Sequence, residues 1–328
     1  MKKLIAILLS AFLLVAGVGL FAGCEGFSGL LQVSVLQYAE HGSLDNCYEG
    51  IVAGLAERGY TEENTNISRY NAKSNDSENT TSAHTIINSV PDVAVGIATP
   101  SAYALAVAAD GDIPVVFTAV SDPTSSSADF SAFENVTGSS DQLPVSEQLQ
   151  LIRDFFDAKG QEGNVNVAIL YTLTEANSVS QVAQFEAQAS AYDITILAHG
   201  VNDATEISSA ADALIARDAD CFNNLTDNTV VQNLATLLDR ANDKGIPVFG
   251  SEIEQVENGC IASVSLDYVE LGRQTGLMIA DILEGADPDD IDFLYISDGY
   301  TVDYNSDVLA SLEFTLPDGY TDANDVKA

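Results

Sequence analysis

The stretch from Pro91 to Pro123, PDVAVGIATPSAYALAVAADGDIPVVFTAVSDP, limits the possible folds more than any other part of the chain. Two short apolar runs, Val93–Ala98 and Pro114–Ala119, flank a helix-like segment over Tyr103–Ala109. Each run stops in a polar loop that contains proline. A strand–helix–strand unit of about 30 residues joins parallel strands by a right-handed crossover. In open parallel sheets ligands sit beyond the carboxyl ends of the strands, so the two loops should lie side by side on a binding edge.

The same alternation runs along most of the chain. Leu31–Tyr38 reads as a first strand, and Ser43 or Asp45 is placed to cap a helix that runs to Arg58 and closes at Gly59. Ile67–Asn71 reads as an edge strand, a loop and helix follow, and Val136–Gly138 is a fifth strand. From Ser139–Pro144 the pattern restarts: helix Val145–Phe156, strand Val165–Tyr171, helix Val179–Ala191, strand Ile194–Ala198, helix Glu206–Arg217, strand Asp220–Asn223, helix Val231–Lys244, and strands Ile246–Gly250 and Ile261–Leu266. Tyr268–Leu283 is an amphipathic helix ended by Gly285, Phe293–Ile296 is strand-like, and the acidic tail after Leu316 reads as surface. The fold class expected is α/β, with two doubly wound Rossmann-like lobes joined by several chain crossings at a hinge. The expected lobes are 31–140 with 268–298 and 141–267 with 299–328, with crossings near 139–142, 265–268 and 298–303.

The first residues are a separate matter. Lys2 and Lys3 precede an almost wholly apolar run from Leu4 to Leu20, and Ala22-Gly23 stand before Cys24. This reads as a secretory signal over 1–23 with a lipobox-like end, although Phe21 and Leu20 replace the usual leucine spacing. Cys24 is then the lipidated first residue, 24–30 a connector, and the body an extracytoplasmic protein tethered to the cell membrane. The alternative is an uncleaved membrane anchor.

Charge narrows the partners. With 12 Lys+Arg against 49 Asp+Glu, a net charge of −37, the surface repels nucleic acid and anionic headgroups. Such acidity suits a saline medium, where screening relieves self-repulsion, or reflects drift in surface composition. Cys47, Cys221 and Cys260 show neither CxxC nor Cys/His spacing, so no metal is expected; they read as small buried residues, with a Cys221–Cys260 disulfide permitted. Among the histidines, His41 is weighed with Asp45 and a serine as a triad that nothing positions, His84 falls on a helix surface and His199 in a loop. No nucleophile elbow, P-loop, zinc motif or dinucleotide fingerprint is present, so neither catalysis nor a cofactor is expected.

The loops expected at the carboxyl edges share a character. Thr99-Pro100-Ser101, Thr118 to Asp122, Glu175 to Ser178 and Thr226 to Thr229 place hydroxyls and amides before helices, where free N–H groups suit a carboxylate. Tyr38 to His41, Ser251-Glu252 and Asp267-Tyr268 add acids for an ammonium group and tyrosines for an apolar side chain. Taken singly, most of these are ordinary helix caps or packing residues; their convergence on one cleft points to a small zwitterion.

At these loops the chain resembles the ABC-transporter substrate-binding lipoproteins of the tryptophan/tyrosine-binding group, which have the type I periplasmic-binding-protein fold. The resemblance rests on QYAEHGSLD (37–45), GIATPSA (96–102), IPVVFTAVSDP (113–123), VTGSSDQLPVSEQLQLI (136–152), LYTLTEANSVSQV (170–182), TDNTVV (226–231), IPVFGSE (246–252) and SLDYVELGRQTG (265–276). It implies capture of a small ligand, most often an aromatic or other apolar amino acid, and delivery to an ABC permease by a protein expected to act as a monomer. The contacts it implies are Tyr38, Glu40, Thr99, Thr118, Asn177, Ser178, Asp227, Glu252 and Asp267. In the division of roles we expect, Ser178, Thr99 and Thr118 hold the carboxylate, Asp227 with Glu252 or Asp267 the amine, and Tyr38 the side chain. A sensing module that shows its closed form to a membrane receptor would use the same cleft. CFNNL before the TDN motif departs from the apolar strand end of the family, the surface is acidic where typical members are lysine-rich, and the segment after Phe293 matches loosely.

Overall fold

The computed structural model describes residues 29–296 and 299–327. The signal segment 1–23, Cys24, most of the connector and part of the crossing expected near 298–303 lie outside the described residues.

The first half builds one parallel sheet. Its strands are β1 (Leu31–Gln37), β2 (Thr65–Asn71), β3 (Val93–Ile97) and β4 (Val115–Thr118); after a short hairpin of β5 (Thr124–Ser125) and β6 (Ala128–Asp129) comes β7 (Val136–Ser140). The sheet order is β13-β7-β4-β3-β1-β2, where β13 (Leu294–Tyr295) arrives from far along the chain. β2 is indeed an edge. Helices α1 (Gly42–Glu57), α2 (Asp76–Asn88) and α3 (Thr99–Ala109) are the crossovers. The central strands are unbroken apolar runs because both faces are covered. One face packs Val33, Val95 and Val116 with Leu44, Ile51, Leu271 and Ile279, and the other packs Leu36, Ala94 and Phe117 with Ile86, Leu105 and Phe130.

The second half repeats the arrangement. β8 (Val165–Thr172), β9 (Ile194–Val201), β10 (Cys221–Asn223) and β11 (Val248–Phe249) form a parallel sheet of order β11-β10-β8-β9. A parallel bridge from Gly250 to Ser263 carries it on to β12 (Ala262–Ser265). The helices α4 (Val145–Ala158), α5 (Ala176–Gln188), α6 (Ile207–Ile215), α7 (Asn228–Gln232), α8 (Leu234–Asn242) and α9 (Ile253–Glu257) cover its two faces.

The chain then returns. α10 (Tyr268–Leu283) lies against α1 of the first sheet and β13 pairs with β7. β14 (Thr301–Tyr304) goes back to pair antiparallel with β12, and α11 (Ser306–Ser311) follows. The return helix is held by close backbone approach. A Cβ on Gly50, Gly54, Gly272 or Gly276 would collide with the backbone of the facing helix, at Val269, Arg273, Cys47 and Ile51 respectively.

Several local expectations change. α1 starts at Gly42 behind His41 with no side-chain cap, because Ser43 and Asp45 are drawn to tertiary partners: Ser43 donates to Glu254, and Asp45 pairs with Arg69. The helix expected over Val231–Lys244 is two, broken at Asn233. His199 lies within β9 and not in a loop. The tail after Leu316 stays largely at the surface, but it is tied down: β15 (Asn324–Asp325) pairs with β14 and the half-buried Val326 packs against the core of the second sheet. Cys47, Cys221 and Cys260 are buried free thiols, so the permitted disulfide is not formed.

Candidate functional site

The carboxyl edges of the two sheets face each other and touch. Hydrogen bonds bridge them from Ser43 Oγ to Glu254 Oε2 (2.9 Å), Asn46 Nδ2 to Glu254 Oε1 (2.5 Å) and Ser74 Oγ to Gln232 Oε1 (2.9 Å). Ser121 Oγ and Thr226 Oγ1 are 3.2 Å apart, His41 Nε2 and Asn228 Oδ1 3.3 Å, and Ser180 donates to Asp122. A cavity of about 360 Å³ between the edges is lined by Tyr38, Ser74, Asp76, Thr172, Thr229 and Gln232, among others. A groove of about 510 Å³ under Phe130, Phe133 and Phe293 lies at the amino ends of β7 and β13, the edge that parallel sheets do not use for ligands. At the cleft edge, Ala98 after β3 and Ala119 after β4 have φ of 76° and 52°. Left-handed backbone at a non-glycine residue is costly and gathers at functional loops.

Buried acids collect at this edge. Asp227 caps α7: its carboxylate accepts from Thr172 N (2.5 Å), Thr172 Oγ1 (2.9 Å) and Val230 N (2.9 Å), with Ser178 alongside. Glu175 accepts from the N–H and side chains of both Asn228 and Thr229 at 2.7–3.0 Å, so each of its lone pairs is used. Burial and then the Asp227 charge push the Glu175 pKa up to about 8, and burial raises that of Asp227. Across the cleft, Asp141 accepts from Tyr268 Oη (2.8 Å) and Ser121 Oγ (3.0 Å), and burial raises it too. Glu252 accepts from Gln255 Nε2 (2.9 Å); burial and then the neighbouring Glu254 charge push it up to about 8. The ion pairs formed among the described residues involve Arg58, Arg69, Arg153, Arg240 and Arg273, and none reaches these four acids.

Other polar atoms here have no partner at all. Among the described residues the buried, unpaired side-chain atoms are His41 Nδ1, Thr99 Oγ1, Asn177 Oδ1, Gln181 Oε1, both polar atoms of Asn223 and Asn224 Oδ1, with Arg153 Nε elsewhere. Apart from that arginine, all lie on or beside loops at the carboxyl ends of β1, β3, β8 and β10. Native structures leave few such groups, so their concentration at one edge marks a place for a polar ligand.

Of the residues implied by the sequence, Tyr38, Thr99, Thr118, Asn177, Ser178, Asp227 and Glu252 are buried at this edge. Tyr38 donates from its hydroxyl to Asp76 at 2.8 Å. Thr118 faces its own lobe, where Ser139 Oγ donates to it at 3.0 Å. Asn177 and Ser178 sit in the first turn of α5, which starts earlier than expected. Glu40 and Asp267 are exposed, and Asp267 serves as the cap of α10 through Val269 N and Glu270 N. No triad forms among the described residues: His41 is half-buried beside Asn228, desolvation holds its pKa down at about 4, and Asp45 is taken by Arg69. Nothing in the sequence singles out Asp141 or Gln181, whereas the polar strand end at Asn223 stands out as a departure from pattern.

The family profile described as ABC transporter substrate binding protein matches residues 32–323. A curated relative, the tyrosine-binding protein of Clostridioides difficile, is 28% identical over 95% of this chain and 92% of its own length. The crystal structure of an ABC domain from Streptococcus pneumoniae in complex with L-Trp superposes with a TM-score of 0.84 at 31% identity, covering 90% of this chain and 99% of that one. The ligand-free, open structure of a substrate-binding protein from Clostridium difficile gives 0.65 at 28% identity over the same shares. Substrate-binding proteins of ABC transporters work outside the cytoplasmic membrane, and among the described residues no helix is long and apolar enough to cross one. Two facing α/β lobes, a polar cleft bridged by hydrogen bonds and a profile match across nearly the whole described chain thus place this protein in the ABC transporter substrate-binding protein family, with the type I periplasmic-binding-protein fold.

Proposed function

We propose that the chain captures an aromatic amino acid in the cleft and hands it to an ABC permease. The observation that carries this reading is the pairing of two deficits at one edge: buried acids with no cation, and buried amides and hydroxyls with no partner. An α-amino acid brings an ammonium group to the first and a carboxylate to the helix start at Thr99, whose hydroxyl has no partner among the described residues. What the relatives are named for, tyrosine and L-Trp, points to the aromatic side chain.

Asp227 has its acceptor sites occupied by Thr172, Val230 and Ser178, which favours an organising role for it and leaves Glu252 the better candidate for the ammonium group. The lobes, 31–140 with 268–298 and 141–267 with 299–328, would open and close about the crossings near 139–142, 265–268 and 298–303. The better superposition on the L-Trp complex than on the open structure supports reading the bridged arrangement as the closed clamp. Cys24 would carry the lipid anchor, the protein would act as a monomer, and it would catalyse nothing.

Isothermal titration calorimetry on the full chain in mild detergent, against tyrosine, tryptophan, phenylalanine and a panel of sugars, tests the reading. A Kd at or below the micromolar range for an aromatic amino acid is expected. Binding of a sugar alone would overturn it. Mass spectrometry of the N-terminal peptide from the membrane fraction tests the anchor, which an unmodified Cys24 would remove.

A further inference from the structure

β10 ends in Asn223, within the polar run Asn223-Asn224 that follows Phe222. The side chain is 1% exposed, and among the described residues neither Oδ1 nor Nδ2 has a partner. An amide buried in this way gives up its hydrogen bonds to water with nothing in return, which destabilises the fold. Evolution has little reason to place it at a strand end unless something meets it.

Its surroundings say what that would be. Strand side chains alternate, so Asn223 shares the face of Cys221, which packs with Leu149, Val182 and Leu225 under α4 and α5. α5 adds two further amides. Asn177 Nδ2 donates to Thr226 O at 3.1 Å, and Gln181 Nε2 donates to Thr226 Oγ1 at 2.5 Å, which leaves Asn177 Oδ1 and Gln181 Oε1 unpaired. Thr226 lies three residues after Asn223 and meets Ser121 of the opposite lobe. The group therefore borders the cleft and is not a remote core position. Its unpaired acceptors outnumber its unpaired donors.

We propose that Asn223, with Asn177 and Gln181, is the specificity subsite that receives a hydrogen-bond donor at the far end of the ligand side chain. It selects a phenol O–H or an indole N–H over a plain hydrocarbon ring. This deepens the aromatic amino-acid reading above and rests on it. The physical reason is asymmetric: a site built to hydrogen-bond a hydroxyl rejects the analogue lacking it, because its own polar groups are then buried unpaired.

The test is calorimetric titration of the full chain with tyrosine, tryptophan and phenylalanine, repeated on Asn223→Leu and Asn223→Ser. Wild-type protein should bind tyrosine at least about thirtyfold tighter than phenylalanine. Asn223→Leu should bring the two within about threefold by weakening tyrosine, and Asn223→Ser should keep part of the discrimination. Equal wild-type affinities for tyrosine and phenylalanine would overturn the subsite and leave the proposed function standing, and they need no variant to be measured. An unchanged ratio in a folded Asn223→Leu would also overturn it. Failure of all three ligands to bind the wild type would remove the aromatic reading itself, and the subsite with it.

Discussion

The contact between α1 and α10 and the contact between the two sheet edges are both interfaces within one chain, and they follow opposite rules. Between the helices, Gly50, Gly54, Gly272 and Gly276 bring backbone onto backbone, and Leu44, Ile51, Leu271 and Ile279 fill the sides. Among the described residues no buried side-chain polar atom of either helix lacks a partner, and a Cβ at any of the four glycines would collide. Between the sheet edges, acids are buried without cations and amides without partners. A saturated interface holds one arrangement. An unsaturated one is complete only when a third party enters, which is what a protein that must open and close requires.

The saturated side should break hardest. Gly272→Val drives a branched side chain into the Cys47 carbonyl, and we expect a loss of about 3 kcal/mol or more in denaturant unfolding. A loss under about 1 kcal/mol would mean that the two helices slide apart freely, and the contrast would fail.

On the cleft side, Asp227→Ala removes the α7 cap and the acceptor for Thr172. It should cost about 2 kcal/mol of stability even without ligand. A variant as stable as wild type that binds nothing would instead make Asp227 a direct ligand contact.

Proton linkage probes the same deficit. Glu175 and Glu252 titrate at about 8 in the folded protein, above the ordinary carboxylate value, so the native state holds more protons than the unfolded one. Their contribution is fully present below the unfolded pKa and is lost as pH rises through about 8. His41, held at about 4, acts in the other direction up to its ordinary pKa of 6.5, so the clean window runs from 6.5 to 8. Across it the ligand-free melting temperature should fall by about 4 °C or more, and a bound ammonium ligand should reduce the fall. A flat ligand-free profile would place these acids in a better-solvated cleft than the structure shows.

The smallest effect belongs to neither interface. Arg240 meets Asp212 on the surface, with the two side chains 37% and 48% exposed. Arg240→Ala should cost under about 1 kcal/mol in the same unfolding assay. A larger loss would show that a surface pair in this acidic chain carries more than its exposure suggests.

Much of this was legible in the residues. The alternation of apolar runs and helical segments indicated two doubly wound lobes, because burying both faces of a parallel sheet demands unbroken apolar strands whatever the context. The helix-start residues Asn177, Ser178 and Asp227 could be read from the motif, and of these Asp227 is the cap. Glu40 and Asp267 looked the same in the sequence and sit in water.

By itself, then, the sequence determined the fold class, the strand edge that carries the site and the family. The first two rest on periodicity and on local backbone needs, which act over a few residues, and the family on the resemblance of its loop motifs. Only the tertiary structure decided which polar side chains are satisfied. Ser43 leaves its helix for Glu254, Asp141 finds Tyr268 127 positions away, and Asn223 finds no partner among the described residues. Partnership is set by distances between segments far apart in the chain, and no local pattern encodes those.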